Sequence, residues 1–288
     1  IAGAIMSVAT WREMFIVVGC VSLIAFVLWA IIVKDRPSQA RWLSKEECEH
    51  IETQIAIERE ITKKVESSGN NEVKDEKLHL SILLRNKYVW ALMGIGFCLN
   101  VGQFGFTLWM PTIISDLTQA NIMNVGLLTA LPYICTVIGI WIWSGITKKV
   151  KSRRFTTAMP IFFFGIFMLF SFFFGSQLGV VGNIICLCLI GSCYMGCIPS
   201  LYTLPSLALV KELDGPARGM MAFAMNLGGF VGPTVVGIIT DITGTATTGF
   251  LFMGLVLVIG SLITRVFPKG LGSNTSDTNA APTELVEK

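Results

Sequence analysis

The stretch NLGGFVGP, Asn226–Pro233, places one amide, three glycines and a proline in an otherwise apolar run. In a water-soluble helix each Gly costs about 1 kcal/mol relative to Ala, and Pro about 3. The run makes sense where helices must approach closely, bend, or hold a polar group in an apolar medium.

Composition supplies that medium. Of 288 residues, 53% are hydrophobic and 14% charged, and mean hydropathy is +0.67, too apolar for a soluble domain of this length. A bilayer crossing needs roughly 20 apolar residues. Seven segments qualify: Met14–Val33, Val89–Ser115, Asn124–Ile146, Thr156–Gly175, Gly179–Val210, Gly219–Thr240 and Thr247–Phe267. The fifth is long enough to tilt or to run past the membrane surface. The opening IAGAIMSVAT resembles the tail of an earlier span, and the expectation is a chain that forms the latter part of a longer one.

Charge placement predicts orientation. Residues 34–87 hold eleven Lys and Arg against eleven Asp and Glu, and basic residues set topology, so this loop is expected in the cytoplasm. KKVKSRR (Lys148–Arg154), KELDGPAR (Lys211–Arg218) and the C-terminal tail fall on the same side, leaving Arg12 as the one basic residue opposite. The net charge of +3 therefore says nothing about nucleic acid. Inside the loop, Ser44 precedes Glu47 by three residues, a capping-box pattern, and Cys48, Ile51 and Ile55 share a face. SSGNNEVKDEK (Ser67–Lys77) reads as a flexible linker, and the tail over 268–288 as disordered.

Most chemistry is excluded. His50 and His79 both lie in the loop, so the spans lack the centre of a His-based metal site or of a catalytic triad. The eight cysteines contain no CxxC, and Cys186, Cys193 and Cys197 recur at i, i+7, i+11, which suits close helix packing. No phosphate-binding loop occurs. Neither an enzyme nor a bound metal or cofactor is expected.

Neutral polar residues remain. Asn100, Gln103 and Thr107 share a face of the second span, and Thr129, Tyr133 and Thr136 a face of the third. In CIPSLYTLPS, Pro199 and Pro205 each remove a backbone donor and would open the helix beside Ser200, Tyr202 and Thr203. Asn226, Gly229, Pro233 and Gly237 line one face of the sixth, with Phe223 and Phe230 nearby. Two roles are open to such groups: hydrogen-bonding glue between helices, or the lining of a polar cavity.

WREMFIVVG, KDRPSQARWLSKEE, GQFGFTLWMPTII, LPYICTVIG, YTLPS and NLGGFVGPTVVGIITDITGT, in that order, resemble the major facilitator superfamily, specifically its anion:cation symporter family of organic-acid carriers. The resemblance implies an all-α membrane protein, a helical bundle forming the C-terminal part of a twelve-span fold. Residues 1–33 would then end the N-terminal half, 34–87 form the central loop, 88–267 the six-helix C-terminal half and 268–288 the tail. It implies uptake of a small organic anion (a sugar acid, a tartrate-like diacid or an aromatic carboxylate) by proton or sodium symport across the cytoplasmic or inner membrane. The site residues it implies are Gln103 and Asn226, with Tyr133, Ser200, Tyr202 and Asn100 beside them. The loop GITKKVKSRR departs from the superfamily pattern, with Lys149 where an acid stands and Ser152 in place of a glycine.

No Lys, Arg, Asp or Glu lies mid-span; Glu13, Asp116 and Asp241 sit at outer ends. The groups that pair an anion and carry a proton are therefore expected in the N-terminal half. A carrier of a neutral or cationic compound (an efflux protein) and a truncated, non-transporting membrane protein are the alternatives.

Overall fold

The computed structural model describes residues 5, 10–34, 44, 46–56, 83–118, 122–150, 152–209 and 211–268. The chain divides into two units, residues 2–78 and residues 79–288.

In the smaller unit, α1 (Trp11–Ile32) is apolar throughout and exposed along its length. It begins three residues before the expected Met14, because the Glu13 carboxylate accepts a 2.7 Å bond from the Thr10 N–H and so satisfies a donor ahead of the first turn. A second helical run covers 46–56. The reciprocal capping box starts it: Glu47 N–H donates to Ser44 Oγ at 3.2 Å, and Ser44 N–H to Glu47 Oε2 at 3.1 Å. The linker Ser67–Lys77 and the tail beyond Pro268 lie outside the described residues, as does all but Ile5 and Thr10 of the opening decapeptide.

The larger unit is helical: α2 (Lys87–Thr118), α3 (Ile122–Lys149), α4 (Arg153–Tyr194), α5 (Ile198–Leu201), α6 (Leu204–Ala208), α7 (Lys211–Thr243) and α8 (Gly249–Ile263). Among the described residues of the chain, six helical stretches are long and apolar enough to cross a membrane. One of them, containing α4, accounts for both the fourth and fifth expected spans. Gly179 has φ 62° and ψ −174°, which breaks the helix there. Phe164 and Tyr194 stand fifteen residues either side of it, yet their ring centroids are 6.0 Å apart. α4 is therefore a hairpin of two antiparallel arms. Asn183 closes it, its Nδ2 donating to the carbonyls of Gly175 (2.7 Å) and Gly179 (2.8 Å).

Close approach of backbones assembles the bundle. A Cβ on Gly228 or Gly232 would strike the Phe97 or Val101 carbonyl of α2, and one on Gly139 or Gly191 would strike the partner backbone between α3 and the second arm of α4. Gly165 and Gly254 face one another, each ideal Cβ 2.8 to 3.0 Å from the other's carbonyl oxygen. Small residues let helices pack this way when the surrounding lipid supplies no hydrophobic drive. At the centre, Phe106, Phe164, Phe250 and Tyr194 form an aromatic cluster with centroids 6.0 to 6.5 Å apart. Cys186, Cys193 and Cys197 are buried, as packing positions should be.

Candidate functional site

The fifth expected span does not tilt as one long helix. Its second arm stops at Tyr194, and the chain continues as two short helices, α5 and α6, each with its proline in the first turn. Pro is tolerated there because a helix's first N–H groups lack intrahelical acceptors anyway. The Ile198 N–H turns back to the Met195 carbonyl at 3.2 Å. Tyr194 O thus loses its regular i+4 donor, and Gln103 Nε2 donates to it at 2.7 Å. The same amide nitrogen lies 3.7 Å from Met195 Sδ.

Three expected site residues are held in the interior. Gln103 is 5% exposed. Asn100, at 6%, donates from Nδ2 to the Met225 carbonyl of α7 at 2.8 Å. Ser200 is fully buried; its Oγ donates to Thr156 Oγ1 at 2.9 Å and lies 3.5 Å from Thr147 Oγ1, tying α5 to α4 and α3.

Three others are open. Asn226 lies on an exposed ridge of α7 with Phe223, Leu227 and Phe230. Its Nδ2 donates to Ala222 O at 2.8 Å on its own helix, an arrangement that uses one of two amide hydrogens. Tyr202 is 40% exposed in the turn after α5, with its hydroxyl 3.9 Å from Met225 Sδ. Tyr133 is 38% exposed on α3, and its hydroxyl interacts with Thr107.

These groups form two linked patches. In one, Tyr202 reaches Met225, beside Asn226 and bonded through its carbonyl to Asn100. In the other, Thr107 Oγ1 sits 2.9 Å from the Tyr194 hydroxyl and also meets Tyr133. Gln103 stands on α2 between Asn100 of the first and Thr107 of the second, bonded at the helix break. Phe104 of α2 packs 3.0 Å from the ideal Cβ position of Gly229, filling the angle between α2 and α7. The arrangement can do no bond-making chemistry, since none of these side chains is a nucleophile paired with a base. It can offer hydroxyl and amide donors and acceptors between aromatic side chains.

Sequence reasoning missed Thr107's partner Tyr194 and the thioethers of Met195 and Met225. A tyrosine one turn ahead of a proline break was the available signal. Among the glycines of the run, Gly228 and Gly232 make the backbone contacts, while the face through Asn226, Gly229, Pro233 and Gly237 is half open.

Residues 1–233 match the family model of the Major Facilitator Superfamily. Among curated relatives, the hexuronate transporter of Bacillus subtilis is 24% identical over 97% of this chain and 63% of its own length. The quinolone resistance transporter of Acinetobacter baumannii is 23% identical over 89% of this chain and 56% of its own. The chain spans 57 to 61% of the length of the first three curated relatives that it matches. Among solved structures, the Escherichia coli fucose:proton symporter FucP aligns with a TM-score of 0.62 and 14% identity, covering 69% of this chain and 47% of that one, a likeness of fold.

Proposed function

Because the chain belongs to the Major Facilitator Superfamily, a family of membrane transporters and not of enzymes, we propose that it forms much of a secondary carrier that takes up a small organic anion. In this proposal Asn226, Tyr202 and Tyr133 touch the solute, while Gln103, Asn100 and Ser200 hold the helices that present them. Residues 34–87 and the C-terminus lie in the cytoplasm, and proton or sodium symport drives uptake through groups outside this chain's spans.

The observation that carries the proposal is the contrast among the amides. Asn100 and Gln103 spend their nitrogens on backbone carbonyls of neighbouring helices, while among the described residues Asn226 is bonded only within its own helix and projects from an apolar ridge. An amide in hydrocarbon with capacity to spare is costly; facing a hydroxylated solute, it is matched. The hexuronate transporter named above supports a sugar acid as the first class to try.

The test is uptake in cells expressing the complete reading frame, with radiolabelled hexuronates and small mono- and dicarboxylates at several external pH values. Uptake that rises at low pH, falls at least tenfold in Asn226→Ala, and leaves thermal stability unchanged is expected. Uptake equal to empty vector for every acid, with expulsion of a fluoroquinolone instead, refutes it and gives the efflux alternative that the Acinetobacter relative suggests.

A further inference from the structure

A cleft of about 560 Å³ lies where the first turns of α4 meet the end of α8, apart from the proposed solute face. Arg154, Phe155, Met159 and Phe162 line one side, and Leu262 and Arg265 the other. We infer that this cleft is a binding site for an anionic phospholipid, its phosphate between Arg154 and Arg265 and an acyl chain along the apolar wall.

Charge is the first argument. No Asp or Glu occurs between Asp116 and Glu212, nor between Asp241 and Asp277, so the segments forming both walls carry no carboxylate to neutralise the arginines. Lys148 and Lys149 in the last turn of α3 add the same sign, as does the positive end of the α4 dipole. Arg154 is also aimed. Its Nη1 donates to Phe267 O at 3.0 Å, and Phe267 is buried and stacked on Tyr88 with centroids 5.5 Å apart. Among the described residues this uses one of five guanidinium donors to fix the plane and leaves four for a phosphate, whose charge-assisted bonds are the strong ones.

The apolar wall selects a lipid over a soluble anion. Phe155, Met159 and Phe162 recur at i, i+4, i+7, a stripe running about 10 Å down the helix from the arginine. Phe155 is 46% exposed, Phe162 37% and Leu262 45%. A free phosphate would engage the charged end and leave that wall uncovered. A phospholipid at the end of membrane-spanning helices covers both, as basic pockets between such helices do.

The test is thermal unfolding of the full-length protein in a neutral detergent, titrated with dioleoyl phosphatidylglycerol, dioleoyl phosphatidylcholine or glycerol 3-phosphate. Phosphatidylglycerol should raise the Tm saturably, phosphatidylcholine should not, and Arg265→Gln should move the midpoint at least tenfold. Arg265 is exposed, so that variant keeps its lipid-free Tm; Arg154→Gln, which also loses the Phe267 bond, is the second variant. Equal stabilisation by both lipids, or an Arg265→Gln midpoint matching the parent's, overturns the inference. Saturation by glycerol 3-phosphate alone overturns it too, in favour of a soluble-anion site.

Discussion

Gln103 of α2 caps the carbonyl that the interruption after Tyr194 sets free, at 2.7 Å. A helix opening formed by one element is thus satisfied by the side chain of another. No water is at hand in the hydrocarbon to do the same, so the amide is structural before it is anything else.

Gln103→Leu should therefore lower stability by about 1 to 3 kcal/mol, the cost of an orphaned buried group. Intrinsic fluorescence melts of the purified full-length protein would show it as a lower Tm. An unchanged melt would mean that Tyr194 O finds another donor.

The glycines divide by what a methyl group would meet. Gly232→Ala drives a Cβ into the Val101 backbone, which cannot yield as a side-chain tip can, so a loss of about 1 to 3 kcal/mol and of monodisperse protein is expected. Gly145→Ala, in α3, meets nothing within 4 Å and should be tolerated. Size-exclusion profiles of fluorescent fusions compare the two directly.

At the α4 hairpin, Gly179→Ala forces a side chain into a region essentially reserved for glycine (φ 62°, ψ −174°), a cost of about 1 to 3 kcal/mol. Asn183→Leu strips donors from two carbonyls at once and should cost more, since each orphan is worth about 1 to 3 kcal/mol. Melting temperatures in the reverse order would show that the turn, not the amide, closes the hairpin.

Cys48 lies outside the spans. Its thiol pKa is raised, first by desolvation and then by the carboxylates of Glu52 and Glu49, which disfavour a second negative charge. A raised pKa means less thiolate at a given pH. Alkylation of a chain retaining Cys48 alone should be slower at pH 8 than that of a free thiol, and Glu52→Gln should speed it. No change on that substitution would remove Glu52 as a cause.

Much of the fold was legible because membrane burial imposes a long, simple signal. Six of the seven expected spans fall largely on helix. The fifth does so without a break only as far as Tyr194, its interruption near Pro199 and Pro205 follows from their missing donors, and the Ser44–Glu47 box marked a true helix start. Registers within a helix were harder. Asn226, Gly229 and Gly232 lie within two turns, and composition cannot say which of them meets a neighbour's backbone, because that depends on where α2 lies. The partners of Asn100, Gln103 and Ser200 stand 125, 91 and 44 residues away, which no local pattern encodes. Exposure of Asn226 was equally invisible, since an amide serves as glue or as a contact with identical spacing.

The α2–α7 contact sets a division of labour along a single helix. Gly228 and Gly232 admit almost nothing but themselves, because the opposing atoms are main chain. One third of a turn away, Phe223, Asn226, Leu227 and Phe230 touch no such wall. In the proposed carrier, substitutions there would change solute recognition without disturbing how the helices meet. On that proposal, one frame could serve different solutes while its architecture stands still, the packing glycines and the solute-facing amide sharing the same eight residues.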